Sequence, residues 1–401
     1  MDQSQSAGKI QAAAPAAAAQ DFSTGKVTFI GLAHATHDTY TAFLPALLPV
    51  LIEKFAMAKT EASLLTVFMQ SPSLLQPFIG YLADRKGLRF FVSATPAIAA
   101  ILMSLLGIMP SYILVAILLL VVGINSAVLH ATGPVLAGRL SGQRLGMGMS
   151  FWMVGGEFGR SLGPVIIAAA VTNFGVERTP AIAVFGVLVS IVVYFQLRNV
   201  KELPASAKVA MPWKQALIQM RAVLLPMSGI MLLRSFSFVT VGTFLPTFLT
   251  EKGADLVIAG ASLSIMEAAG VVGAFLGGSL SDRIGRRLVM AVSMVCTAVF
   301  IGLLLVTQGW LQIPVLLGLG FTSLALTPPM MAAVQESYPE NRALSNGIYM
   351  AVNFAGSAIG ALVVGILADA YSMQFAYVFS AVMVVIALPF LWLLPNKKRV
   401  A

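Results

Sequence analysis

Long apolar stretches alternate with short polar breaks along almost the whole chain. A helix rises 1.5 Å per residue, so crossing a bilayer takes ~20 apolar residues. About twelve stretches reach that length, at roughly 27–54, 62–83, 90–110, 112–138, 147–172, 179–198, 222–250, 256–281, 288–307, 311–335, 344–369 and 374–395. The pattern predicts an all-α polytopic membrane protein. Residues 1–25, by contrast, are small, polar and aperiodic. They lack the basic segment and apolar core of a signal peptide. They read as a disordered cytoplasmic tail ahead of an uncleaved first span.

Composition agrees: 58% of the 401 residues are hydrophobic and only 10% are charged, against ~25% in soluble domains. The net charge of +9 invites a nucleic-acid reading, but its distribution argues for topology instead. With the N-terminus inside, the same side carries Arg85, Lys86, Arg89, Arg139 and Arg144, the basic linker 199–221, Arg283, Arg286 and Arg287, and the tail Lys397-Lys398-Arg399. The opposite loops hold only Lys54, Lys59, Arg178 and Lys252, each near an acid. Such an excess marks the cytoplasmic face and places both termini there. Cys296, the single cysteine, can form no internal disulfide and reads as a buried small hydrophobe.

The second stretch closes with Gly80-Tyr-Leu-Ala-Asp84-Arg85-Lys-Gly87, and the eighth with Gly278-Ser-Leu-Ser-Asp282-Arg283-Ile-Gly285-Arg286. These copies lie 198 residues apart, about half the chain, and mark an internal repeat. The halves run 26–198 and 222–395, joined by the linker 199–221 and followed by the tail 396–401. In each copy the Gly permits close helix approach, and the Asp can pair with Arg or accept from a neighbouring helix N-terminus. Such a latch would hold one face shut. A third echo, Gly365-Ile-Leu-Ala-Asp369, ends the eleventh stretch without the Arg.

Ionisable groups inside apolar spans are expensive and tend to line pathways or proton relays. The run from Gly31 to Pro45 contains His34, His37, Asp38 and Tyr40. His34 and Asp38 are four apart and share a helix face. A carboxylate beside an imidazole can change protonation near neutral pH. His130 falls late in the fourth span, and Glu157 and Arg160 lie at i,i+3 in the fifth. Arg234 and Glu267 sit roughly ten or more residues into their spans, near the midplane, where transporter sites form between halves. Arg234 has no acid at i±3 or i±4, which leaves Glu267, Asp38 or an anionic substrate as its counter-ion. Proton coupling is therefore assigned to Asp38, His34, His37, Glu267 and Glu157, and substrate binding to Arg234, Arg160, His130 and Tyr40.

The GYLADRKG and GSLSDRIG loops resemble the signature loop of the major facilitator superfamily, whose fold has twelve helices in two six-helix bundles. Within it, the N-terminal half resembles the fosmidomycin-resistance exporters. The matching pieces are His34-x-x-His37-Asp38, Leu74-Leu-Gln-Pro77, Ser126-Ala-Val-Leu-His130 and Val154-Gly-Gly-Glu157-Phe-Gly-Arg160-Ser-Leu-Gly-Pro164. Two departures stand out: His130 is followed by Ala131-Thr132 where that family has Pro and an acid, and Glu157 and Arg160 replace uncharged residues. The resemblance implies a bacterial plasma-membrane protein that exports small molecules against a proton gradient by alternating access. Proton symport of an organic anion, or movement of lipids and amphiphiles, stand as alternatives.

No Walker loop, nucleophile elbow or zinc-ligand spacing occurs, so neither an enzyme nor a metal or cofactor is expected. The expected partners are a small-molecule substrate, protons and the bilayer, with the chain acting as a monomer.

Overall fold

A computed structural model describes residues 23–76, 88–141, 144–200, 213–337 and 342–395. The described residues are helical almost throughout: α1 (Thr24–Thr41), α2 (Phe43–Phe55), α3 (Lys59–Gln70), α4 (Leu88–Leu105), α5 (Tyr112–Leu140), α6 (Leu145–Phe174) and α7 (Ala183–Leu197) come from the first half. The second half supplies α8 (Trp213–Glu251), α9 (Leu256–Ile284), α10 (Arg286–Val306), α11 (Gln312–Ala325), α12 (Thr327–Ser337), α13 (Arg342–Ala370), α14 (Met373–Ile386) and α15 (Phe390–Leu393). Among the described residues, ten segments are long and apolar enough to cross a membrane.

Among the described residues several expected spans are interrupted, and proline lies at three such breaks into separate α-helices. The stretch 27–54 divides at Ala42, where α1 ends and α2 begins. Pro45 lies in the first turn of α2, and a proline ring clashes with the carbonyl four residues back, here that of Thr41. The Ala42 amide still donates to Asp38 O at 3.1 Å, so the chain bends without unravelling. Pro328 and Pro329 likewise separate α11 from α12, and Pro389 separates α14 from α15. Helix α8 starts at Trp213, inside the stretch read as linker.

The two halves of the chain meet along paired seams. Helix α3 packs against α13, α6 against α9, and α2 against α8. The internal repeat maps α3 onto α9 and α13 onto α6, so the first two seams are equivalents of each other.

In lipid no hydrophobic drive brings helices together, and association relies on close packing. Helix α6 supplies a glycine stripe for this. Gly155, Gly159 and Gly163 rest on the main-chain carbonyls of Gly31, Ala35 and Thr39 of α1. A Cβ on any of them would overlap that backbone. In the second half, Gly273 and Gly277 of α9 lie in the same way on the backbones of Phe321 and Ala325.

Gly159→Val should therefore destabilise the protein by ~1–3 kcal/mol, the usual range for overpacking. Gly302→Ala in α10, with open space around it, should be neutral or stabilising. Thermal unfolding in detergent compares the two; equal midpoints would show that the α1–α6 contact yields freely.

Candidate functional site

All three histidines of the chain converge beside Asp38. Helix α1 presents His34, His37 and Asp38, which are buried, and α5 presents His130. His34 Nε2 lies 3.3 Å from Asp38 Oδ2, and His37 Nδ1 lies 2.8 Å from Asp38 Oδ1. His34 Nε2 is also 3.3 Å from His130 Nε2.

The outer ring nitrogens fix the tautomers. His34 Nδ1 lies 2.8 Å from Trp152 O, and His130 Nδ1 lies 2.9 Å from Ser126 O. A carbonyl only accepts, so both Nδ1 atoms carry the proton and donate. In the neutral rings both Nε2 atoms are then bare, and that of His34 faces Asp38 Oδ2. Trp152 stacks on His34 at 3.6 Å between ring centroids, and Gly156 leaves the space that the imidazole fills. Nothing in its residue type marked Trp152 beforehand. Its role comes from a carbonyl and a ring face at the start of the glycine stripe.

A second group ties the halves together. Arg160 of α6 donates from Nη2 to Glu267 Oε2 of α9 at 2.7 Å. Glu157, one turn before Arg160, stands 3.6 Å from its Nη1, beyond hydrogen-bond reach. The expected i,i+3 pair thus exists, but the shorter bond crosses the seam. Glu267 is thereby engaged and is not the counter-ion of Arg234.

Arg234, buried in α8, donates to Ser323 O at 3.0 Å and to Thr327 Oγ1 at 2.9 Å, and its guanidinium lies over the Phe238 ring. Among the described residues no carboxylate pairs with it. The buried hydroxyl of Tyr349, close enough to interact electrostatically with it, has no hydrogen-bond partner among the described residues.

Tyr40 is fully committed within its own half. Its hydroxyl donates to Ile182 O at 2.7 Å and accepts from the Gly186 amide at 3.0 Å. Its ring helps line a mostly apolar cavity of about 700 Å³ bounded by α1, α6 and α7, with Thr36, Thr39 and Asn173 as its polar points.

Of the duplicated loops, Gly80, Asp84, Arg85 and Gly87 lie outside the described residues. In the second copy Asp282 pairs with Arg286 at 3.5 Å, and Arg286 reaches Glu336 of α12 at 2.6 Å. Between Gly278 and Arg286 the chain turns at Gly285, whose φ of +102° suits glycine, just after Arg283. The third echo proves the more informative. Asp369, at the end of α13, accepts from the Lys59 and Thr60 amides at 2.7 and 2.8 Å and from Thr60 Oγ1 at 2.6 Å. It caps the N-terminus of α3 from the other half of the chain, a favourable place for negative charge. Lys59 also pairs with Glu251 of α8 at 2.8 Å. The Lys59–Glu251 pair had no sequence signal beyond its polarity.

A family model described as Major Facilitator Superfamily matches residues 30–280 and 227–401. The chain is similar to the fosmidomycin resistance protein of Escherichia coli (strain K12), 25% identical over 386 residues and covering 94% of each chain. It is also similar to the multidrug resistance protein MdtG of Salmonella dublin, 22% identical over 248 residues and 60% of each chain. Among solved structures, a bacterial homolog to the human lysosomal transporter Spinster superposes with a TM-score of 0.77 at 14% identity, over 93% of this chain and 96% of that one. The nucleoside transporter NupG superposes with a TM-score of 0.73 at 14% identity, over 93% and 99%. These likenesses show a shared fold.

Sharing Arg160 between two acids has a measurable consequence. Glu267→Gln alone should be tolerated, because Arg160 can swing to Glu157. The double variant Glu157→Gln/Glu267→Gln strands a guanidinium between helices. It should exceed the summed single effects by ~1–3 kcal/mol in a double-mutant cycle read by unfolding. Additive effects would show that the two acids do not share the cation.

Proposed function

Given that the chain belongs to the Major Facilitator Superfamily, we propose that this transporter exchanges protons for a small organic anion, drug or amphiphile, moving the substrate outward. Its twelve spans form two six-helix halves with both termini cytoplasmic, in a bacterial inner membrane, and the monomer is the working unit. As a superfamily member it is a multi-pass membrane transporter of small molecules and not an enzyme.

The observation that carries the proposal is the Arg160–Glu267 bond across the α6–α9 seam. A proton on Glu267 removes the charge that holds Arg160 there. Arg160 then turns to Glu157 on its own helix, and the tie between halves is released. Losing the proton restores the tie. His34, His37 and Asp38 belong to the same proton path on the first-half side.

Substrate selectivity is assigned to Arg234. A planar guanidinium held by Ser323 and Thr327, with no acid among the described residues to neutralise it, suits a carboxylate or phosphonate. Relatives named for resistance to fosmidomycin and to multiple drugs support the outward direction. A second reading, passage of amphiphiles from the lipid side, is favoured by the apolar cavity of about 700 Å³ beside Tyr40. In that case the substrate tail occupies the cavity.

Proteoliposomes test the proposal. With an acidic lumen, antiport accumulates labelled organic anion inside, whereas symport needs acid outside. Glu267→Gln should abolish pH-driven accumulation while leaving substrate counterflow. Arg234→Gln should weaken anion binding ~10- to 100-fold, the weight of a charged hydrogen-bonded contact. Unchanged coupling in Glu267→Gln would overturn the mechanism.

A further inference from the structure

The cluster on α1 and α5 has a geometry that suits a metal ion as well as a proton. His130 Nε2 and Asp38 Oδ2 both stand beside His34 Nε2. Two of the separations are 3.3 Å, and the third lies within 4.8 Å. Left to themselves these lone pairs repel, so something positive belongs among them. A proton on His34 Nε2 can be shared between Asp38 Oδ2 and His130 Nε2, and a dication in its place would engage all three side chains.

We infer that His34, Asp38 and His130 form a binding site for a first-row divalent transition-metal ion of the zinc type, with a fourth position left open. Tetrahedral bonds of ~2.0–2.1 Å set neighbouring donor atoms ~3.3–3.4 Å apart, which is the spacing found for His34 with both partners. Two imidazoles and one carboxylate suit such ions better than calcium or magnesium, which take oxygen ligands.

The surroundings are those of a metal site as well. A metal-ligating histidine almost always donates its other N–H to a carbonyl or carboxylate, which orients the ring. His34 does so to Trp152 O of α6, and His130 to Ser126 O one turn back on its own helix. His37 Nδ1 donates to Asp38 Oδ1, which turns Oδ2 toward the imidazoles. Trp152 covers one face of His34, and His34, Asp38 and His37 are buried. The ligands come from positions 34, 38 and 130, a spacing no sequence motif reveals. Metal binding requires unprotonated ligands, so an ion here and a proton here exclude each other.

The test uses full-length protein in detergent, purified by a tag without histidine and stripped with chelator. With only three histidines and one cysteine in the chain, few competing ligands remain. Titration with cobalt(II) should show one ion per chain with visible d–d absorption, displaced by zinc. His130→Ala should lose the bands and bind at least ~10-fold more weakly, since even an outer-shell change costs that much. Asp38→Asn, which keeps the side-chain shape, should act likewise should His130→Ala fail to fold. Cys296→Ser should leave the titration unchanged. Absence of stoichiometric binding, or binding that persists unchanged in both ligand variants, would overturn the site. The readout is binding and spectrum without a gradient, so it stands or falls separately from the proposed antiport.

Discussion

A charge inside a lipid-facing bundle must find a partner or be abandoned by the fold. That requirement organises this molecule more than any other. Three solutions coexist within it. Asp38 is surrounded by imidazoles. Arg160 is held between two acids that come from different halves of the chain. Among the described residues, Arg234 is held by a main-chain carbonyl, a hydroxyl and an aromatic face, with no acid beside it. These solutions differ in what they leave open. The first gathers lone pairs, the second offers two resting places for one cation, and the third keeps a cation in want of an anion.

Backbone contact makes the arrangement possible. The α6 stripe of Gly155, Gly159 and Gly163 brings α6 onto the α1 main chain, and Gly156 makes room for the His34 ring. The same helix therefore positions the histidine cluster through its glycines and the seam through Arg160. A helix with side chains along that face would stand farther off. Trp152 O would then lose its bond to His34.

Much of the fold was legible in the chain because hydrocarbon thickness sets a minimum length for an apolar run. The breaks at Ala42, at Leu326 and before Phe390 were harder to see, because proline inside a lipid span bends some helices and divides others. In the site, the His34–Asp38 pair followed from helical spacing, since i,i+4 neighbours touch. The Arg160–Glu267 bond joins residues 107 positions apart and depends on which helices the repeat brings face to face. Trp152 was invisible for another reason: it acts through its carbonyl, which every residue has, and through a stacking contact that depends on how α6 lies against α1. The counter-ion expected for Arg234 was not found in Glu267, because that acid lies against α6.

The cap that Asp369 places on α3 recognises main-chain amides at Lys59 and Thr60, with only the Thr60 hydroxyl added. Amides are present whatever residue the gene encodes there, proline aside. One partner of this contact is thus almost free to drift through substitution, while the other is pinned to a short carboxylate. Across diverging lineages such a contact would leave a one-sided trace: a single persistent acid at the end of α13, facing a helix start whose letters vary. Methods that look for correlated change between paired positions would pass over it, although it joins the two halves of the protein.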